Sequence, residues 1–306
     1  MDVVLISFAA VAIPFILGFG FGVLAGYSYL IAFVIGASLS LTSEATKAIA
    51  LIERKVLKTK LGEIMLVAGT LDNIFELLFL SLLLVFVSAD TTSGLIMLPI
   101  EIIAFVLFIF AAIKLIPRFF NKINLESDDD YFTLTILIGI SMALVSTALE
   151  IGPIVGALIA GLILQKSLHH EKAEKKVEKN MKLLTFGLII PFFYLQIGLN
   201  IDLAGFFKYP EMILIIFILG LIGKMAGSLI VKPFTKLKFN QLTLIGWGMN
   251  SRGVIELVII EIARQKIPNF PMEIYTAIVF MSILTTLIFP FALDYYLKKY
   301  PGIMVS

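Results

Sequence analysis

The sequence predicts an all-α integral membrane protein of about ten transmembrane helices, and three observations predict it. Of 306 residues, 59% are hydrophobic and the mean hydropathy is +1.03, whereas soluble domains are about 45–50% apolar. Only 15% of residues are charged, against about 25% in a typical soluble chain. Third, Lys and Arg are distributed one-sidedly between the apolar runs. So much apolar surface cannot fill one aqueous core, and a lipid bilayer is its natural solvent. At roughly 20 residues per span plus short connections, the length suits about ten helices.

The apolar runs cover residues 3–25, 28–53, 61–88, 95–116, 131–149, 151–165, 183–200, 211–232, 241–263 and 273–297. The first is long and lacks a basic leading region, so it reads as a span and not as a cleavable signal. The second is apolar to Leu41, turns polar at Thr42-Ser43-Glu44, and resumes as AIALI. The third carries Asp72 and Glu76. The runs at 131–149 and 151–165 are close enough for a tight pair. The stretch 166–182, KSLHHEKAEKKVEKNMK, is a loop or a short surface helix. The ninth run, IGWGMNSRGVIELVII, packs Gly246, Gly248, Asn250, Ser251 and Gly253 into its middle. Glycine and Ser/Asn clusters weaken a helix and supply capping groups. Interrupted spans in corresponding positions of two halves are a sequence pointer to a transport site.

Taken alternately, one set of connections and the C-terminus holds eighteen of the 24 Lys and Arg residues, and the other holds Lys208, Arg264 and Lys266. Basic loops face the cytoplasm, which puts the C-terminus there in a multi-pass cell-membrane protein. The basic loops are thereby accounted for as topology signals, and a net charge of +2 gives no sign of nucleic acid. There is no cysteine, which excludes disulfides and thiolate chemistry. His169 and His170 sit together in the polar loop, as a solvated pair. No serine–histidine–acid set, metal-ligand cluster or cofactor motif is present, so the expectation is no enzyme and no cofactor. Glycines in 18–26 and 152–161 lie at spacings that allow close helix packing.

Charges at mid-membrane depth cost several kcal/mol and need a partner or a purpose. Asp72 and Lys224 are the most centrally placed, and an ion pair between them would relieve both. Glu76 shares a helix face with Asp72. Arg252 and Glu256, four apart, can pair within one helix or across to another. Glu44 opens a half-helix, where the positive end of the dipole favours a carboxylate, and Lys47 is its candidate partner. Thr42 and Ser43 offer oxygens of the kind hard monovalent cations accept.

The order of the segments IPFILGFGFG, TSEATKAIALI, LGEIMLVAGTLDNIFELL, IGPIVGALIAGLIL, PFFYLQIGLNID, LGLIGKMAGSLI and GMNSRGVIELVII resembles the monovalent cation/proton antiporters of the NapA- and Kef-like branch, over nearly the whole chain. The resemblance implies one transporter domain of two inverted repeats with two discontinuous crossing helices, 28–53 and 241–263. It implies core helices at about 3–88 and 211–297, interface or linking helices at about 95–200, and a homodimer. The implied activity is exchange of Na⁺ or K⁺ for H⁺. The family's paired acids fall on Asp72 and Asn73, its membrane lysine on Lys224, its threonine–serine crossing on Thr42 and Ser43, and its arginine–glycine motif on Arg252, Gly253 and Glu256.

Two departures stand out. Asn73 replaces the acid most tied to ion binding; an amide can coordinate a cation but cannot give up a proton. Either Asp72 carries the exchange, or Glu44 or Glu76 has taken over, or transport is lost. Relatives also have two or three further spans before the proline–glycine span, so the resemblance implies a chain that begins late. Two alternatives remain open: an inactive scaffold paralogue or partner subunit, and a cation channel.

Overall fold

The computed structural model describes residues 2–88, 107, 110–118, 128–148, 156–157, 159–161, 163–164, 171–200, 203–253 and 255–304. Every regular element among them is helical. The chain divides into two compact units, Met1–Leu83 with Ile197–Ser306, and Leu84–Gln196.

The first unit is built on α1 (Asp2–Leu24), α2 (Tyr29–Ser40), α3 (Glu44–Glu53) and α4 (Lys60–Ser88). Small residues set how these helices meet. A methyl placed on Gly18 would lie 2.9 Å from the Gly36 Cα, and one on Gly22 would lie 2.7 Å from Ala32. The descending order of those contacts makes α1 and α2 antiparallel. Between apolar helices in lipid there is little hydrophobic gain, and such backbone approach supplies the attraction. Phe8 meets Phe75 at 6.2 Å and Phe15 stacks on Phe79 at 5.0 Å between ring centroids. Those pairs ascend together, so α1 and α4 point the same way. Asp72 is three residues before Phe75 and seven before Phe79, so the same face of α4 carries it toward α1.

The second half of this unit comprises α9 (Pro210–Ile230), α10 (Phe239–Met249), α11 (Ile255–Lys266) and α12 (Met272–Lys299), with the short α8 (Leu203–Lys208) before them. Gly223 and Gly227 let α9 press on α1. Methyls on them would lie 2.7 Å from the Pro14 Cβ and 2.7 Å from the Ala10 Cα. Thus α1 is held by backbone approach from both α2 and α9. One continuous helix, α12, lies along α11 and the break before it: Tyr275 reaches Glu261, Ser282 reaches Glu256, and Thr286 reaches Arg252. The C-terminal turn closes the basic end. Met304 C=O accepts from Leu61 N–H at 3.1 Å, Ile303 C=O from the Gln241 amide at 3.1 Å, and Arg54 makes two bonds to Asp294 at 2.7 and 3.0 Å.

The second unit contains α5 (Asp128–Ala148), α6 (Glu171–Leu184), a π-helical turn Thr185–Ile189 and most of α7 (Ile190–Asn200). Its core joins Ala112 and Ile116 to Ile138, Met142, Ile159, Ala160 and Ile163. Gly156 meets the Met142 carbonyl and Ser146 side by side, as close packing in GPIVGALIAG requires. From Glu171 the polar stretch forms α6, which buries Val177 and exposes Lys175, Lys179 and Lys182. There Lys182 holds the Glu178 carboxyl below the usual carboxylate range.

Four helices among the described residues are long and apolar enough to cross a membrane: Asp2–Leu24, Asp130–Thr147, Pro210–Phe234 and Met272–Lys299. Ten spans were expected, and the difference has physical causes. The runs 28–53 and 241–263 are each broken into two helices too short to cross singly. The 29-residue α4 carries Lys60, Glu63, Asp72 and Glu76. Much of 95–116 and 151–165 lies outside the described residues. The exposed side chains of the long helices are themselves apolar, Ile16 and Phe291 among them, as a lipid-facing surface requires.

The α1–α9 contact yields a test. Gly223→Leu forces bulk against Pro14, and overpacking of this kind costs about 1–3 kcal/mol. The variant is expected to show a lower melting temperature in detergent; an unchanged one would mean that the close approach is not needed.

Candidate functional site

The site forms where the two broken helices meet. After α2 the chain is extended at Leu41 and re-enters a helix at Ser43, whose hydroxyl accepts the Thr46 N–H at 3.3 Å. After α10 the chain leaves the helix at Asn250 and resumes at Ile255. A broken helix at membrane depth frees N–H and C=O groups that no water is on hand to satisfy. Here each break satisfies the other. Ser43 N–H donates to Ser251 C=O at 2.7 Å, and the Ser251 hydroxyl donates to Ser43 C=O at 3.1 Å. The Thr42 hydroxyl donates to Met249 C=O, the last residue of α10, at 3.0 Å. Thr46 donates to Arg252 C=O at 3.3 Å. Gly253 is obligatory for this approach: a methyl there would sit 2.5 Å from the Ser43 Cβ and Oγ.

Charges complete the half-helix ends. Arg252 is fully buried, and its guanidinium donates to Ser38, Leu39 and Leu41 C=O at 3.0, 2.7 and 2.5 Å. It therefore caps the negative end of α2, where a cation is favoured. Glu256, also buried, accepts from Gly253 N–H and the Ser282 hydroxyl, each at 2.5 Å, at the positive end of α11. Sequence spacing suggested an Arg252–Glu256 pair. Their hydrogen bonds also direct the two side chains to different helix ends, because the bared peptide groups there offer several bonds at once. Glu44 occupies the matching position at the start of α3, where its carboxylate accepts from the Thr70 hydroxyl at 2.9 Å.

Asp72 and Lys224 come together beside these breaks. Both are fully buried, with Lys224 Nζ 3.6 Å from Asp72 Oδ2. Asp72 Oδ1 accepts from the Ser7 hydroxyl at 2.6 Å, while Oδ2 has no hydrogen-bond partner among the described residues. Lys224 also donates to the Thr42 hydroxyl at 2.6 Å. The ammonium thus links the carboxylate on α4 to the first break. One buried carboxylate oxygen left without a donor is able to take a proton or a cation.

Of the residues singled out in the sequence, Asp72, Lys224, Thr42, Ser43, Arg252 and Glu256 gather at the breaks. Asn73 and Glu76 fall on α4, but their side chains lie outside the described residues. Sequence reasoning missed Ser7, Ser282 and Thr286, lone hydroxyls in long apolar helices. It read Lys47 as the candidate partner of Glu44 and did not foresee how deeply it lies. Lys47 is fully buried, with Nζ 3.6 Å from the Met249 sulfur. Its place inside an interrupted span was the available signal, since a lysine at that depth is as costly as Lys224.

Arg252 carries the next expectation. Arg252→Met leaves three carbonyls without their guanidinium and is expected to cost about 3 kcal/mol or more, as for a broken buried ionic network. A melting temperature in detergent equal to that of the native chain would show that other donors serve the α2 terminus.

Comparison with known proteins agrees with this arrangement. The family model described as "Sodium/hydrogen exchanger, transmembrane" matches residues 1–299. The Na⁺/H⁺ antiporter of Enterococcus hirae is 29% identical over 289 residues, covering 91% of this chain and 74% of that protein. The Na⁺/H⁺-K⁺ antiporter GerN of Bacillus cereus is 25% identical over 291 residues, covering 95% and 74%. Cation/H⁺ antiporter 17 of Arabidopsis thaliana is 27% identical over 298 residues, covering 92% of this chain and 35% of that protein. An all-helical membrane chain with paired helix breaks around a buried acid and lysine, matched over almost its full length, belongs to the transmembrane sodium/hydrogen exchanger family.

Proposed function

We propose that this chain exchanges a monovalent cation, Na⁺ or K⁺, for H⁺ across the membrane, with Asp72 as the group for which the two ions compete. The observation that carries the reading is the Asp72 carboxylate: fully buried, with Oδ2 lacking a hydrogen-bond donor among the described residues and facing Lys224 at 3.6 Å. A carboxylate at that depth can be neutralised by a proton or by a cation, and only the neutral arrangement crosses the barrier readily. Lys224 is shared between Asp72 and Thr42. When either ion takes Oδ2, the ammonium keeps its Thr42 bond and need not be left bare. Thr42, Ser43 and Glu44 on the first break and the Asn73 amide supply further oxygens for a cation shed of its water. Arg252 and Glu256 hold the helix ends, and Glu76 extends the acidic face of α4.

The interrupted runs 28–53 and 241–263 are the crossing helices of an inverted-repeat architecture in this reading. The antiparallel order of α1 and α2, and of α10–α11 and α12, supports it. The core is formed by about 3–88 and 211–297, and the linking helices by about 95–200. A homodimer in the cell membrane with the C-terminus in the cytoplasm follows from the lysine and arginine distribution and from the family. The names of the relatives, antiporters of Na⁺, K⁺ and H⁺, agree with exchange. A second reading, a scaffold or partner subunit that does not transport, draws on Asn73, which cannot release a proton where the family has an acid.

Reconstitution separates the readings. Proteoliposomes loaded with a pH-sensitive dye are given a pH gradient, then Na⁺ or K⁺. Cation-dependent dissipation is expected, falling at least a hundredfold in Asp72→Asn. An unchanged signal in that variant overturns the assignment of Asp72, no signal with any cation favours the scaffold, and current without proton movement favours a channel.

A further inference from the structure

A cleft of about 480 Å³ opens at the basic end of the first unit, between the start of α10 and the end of α12. That volume falls within the roughly 300–1,000 Å³ of small-molecule sites. Lys238 and Asn240 line it from the start of α10, Lys299 and Tyr300 from the end of α12, and Gly302 from the turn that follows. Nothing lies within 4 Å of where a Gly302 Cβ would be, so the turn adds no bulk there. No carboxylate is among the residues that line the cleft. Among the described residues, neither Lys238 nor Lys299 has a carboxylate within ion-pair distance. Lys299 Nζ donates to the Tyr295 hydroxyl at 2.7 Å and lies 5.1 and 5.6 Å from the centres of the Tyr295 and Tyr300 rings. These neutral partners fix the ammonium and leave its charge uncancelled. Arg54 at the same end is the contrast, since Asp294 and Glu53 both meet its charge. Topology asks only for a count of Lys and Arg on one side. It does not ask that two of them share an acid-free cleft.

The surface beside the cleft is graded by depth. Lys299, Tyr295 and Phe291 recur every four residues on α12, so they share a face, and from first to last they span about 12 Å. All three are exposed, Tyr295 by 54% and Phe291 by 74%. Phe239, next to Lys238, is 59% exposed. Ammonium, phenol and phenyl follow in the order of headgroup, interface and acyl chain in a bilayer. We propose that the cleft binds the headgroup phosphate of an anionic phospholipid, between Lys238 and Lys299, with the acyl chains along Phe291 and Phe239. The Asn240 amide offers further N–H donors to the phosphate oxygens. Basic pockets between helices at a membrane face suit such headgroups. A zwitterionic lipid carries its own cation beside the phosphate, which the two ammonium groups oppose; an anionic lipid does not. The bound lipid joins α10, the first half of the second broken helix, to the end of α12. The proposal does not rest on the exchange reading, because a chain that transports nothing would bind the lipid equally well.

The test uses the whole chain, purified in a neutral detergent and freed of lipid. Its melting temperature is followed as phosphatidylglycerol or phosphatidylcholine is added. Saturable stabilisation by phosphatidylglycerol is expected, and much less by phosphatidylcholine. In the double variant Lys238→Gln with Lys299→Gln, the half-saturating phosphatidylglycerol concentration is expected to rise about thirtyfold, the effect of two basic residues near an anionic headgroup. Both lysines are exposed, so their replacement leaves the core untouched. Lys238→Arg with Lys299→Arg returns the charge and is expected to move the value back toward the native one. Lys58→Gln with Lys60→Gln removes two exposed charges at the same end and is expected to leave it unchanged. No stabilisation by phosphatidylglycerol, or equal stabilisation by both lipids, overturns the proposal. So does an equal rise in the two glutamine variants, which would mean that the lipid answers only to overall charge. Saturable stabilisation by inorganic phosphate alone, lost when Lys238 and Lys299 are replaced, overturns the lipid as the occupant.

Discussion

Everything at the centre of this protein depends on one constraint: peptide groups freed by breaking a helix at membrane depth must find partners inside the protein. Each unsatisfied group there costs several kcal/mol. The chain meets the constraint by breaking two helices and setting the breaks against each other. Ser43 and Ser251 exchange bonds in both directions, and Thr42 and Thr46 reach across to Met249 and Arg252. A single break would need water or a large polar insertion. Two opposed breaks supply each other with donors and acceptors, and Gly253 allows the distance to be short enough.

The charges follow from the same constraint. An α-helix end carries a partial charge of about half a unit, and each break exposes two such ends. The negative end of α2 takes Arg252, and the positive ends of α3 and α11 take Glu44 and Glu256. Asp72 and Lys224 differ from this set in pairing with each other across helices, Lys224 reaching the first break through Thr42. Ser7 donates to Asp72 and Lys224 donates to Thr42, and among the described residues one carboxylate oxygen has no donor. A charge pair placed only to hold helices in register would be expected to satisfy both oxygens, since a half-satisfied buried carboxylate is the costlier arrangement. The deficit is the feature on which the proposed exchange at Asp72 draws.

Much of this was legible in the sequence for a simple reason. In a bilayer, a charge or a polar cluster inside an apolar run is conspicuous, so Asp72, Lys224, Arg252, Glu256 and the breaks at Thr42 and Asn250 announce themselves. Spacing does not say where a long side chain points. Arg252 and Glu256 at four residues apart look like a pair, but spacing does not reveal that the guanidinium also donates to three carbonyls at the end of α2. Ser7 was invisible because a lone hydroxyl costs little in a helix, where it can bond its own backbone. The full burial of Lys47 was not legible, because a nearby acid in the sequence, Glu44, offered a partner without requiring it. The packing of Gly69 against its ammonium is a tertiary fact that no local pattern carries.

The way the breaks are joined also limits how such a site can work. The bonds between Ser43 and Ser251, the Arg252 bonds to α2, and the Ser282 and Thr286 bonds from α12 tie five helices into one network. The glycine contacts of α1 with α2 and α9 tie in two of those neighbours and fix the side of α4 that bears Asp72. Opening one break would strand groups at the other, at a cost of several kcal/mol for each orphaned peptide. Exposing Asp72 first to one side of the membrane and then to the other by melting a half-helix is therefore disfavoured. The low-cost motion keeps the network intact and carries α1, the broken helices, α9 and α12 together. Under that motion the ion stays with its ligands throughout the passage. On the proposed reading, the balance between proton and cation is then set by fixed charges such as Lys224 and not by any rearrangement of the breaks themselves.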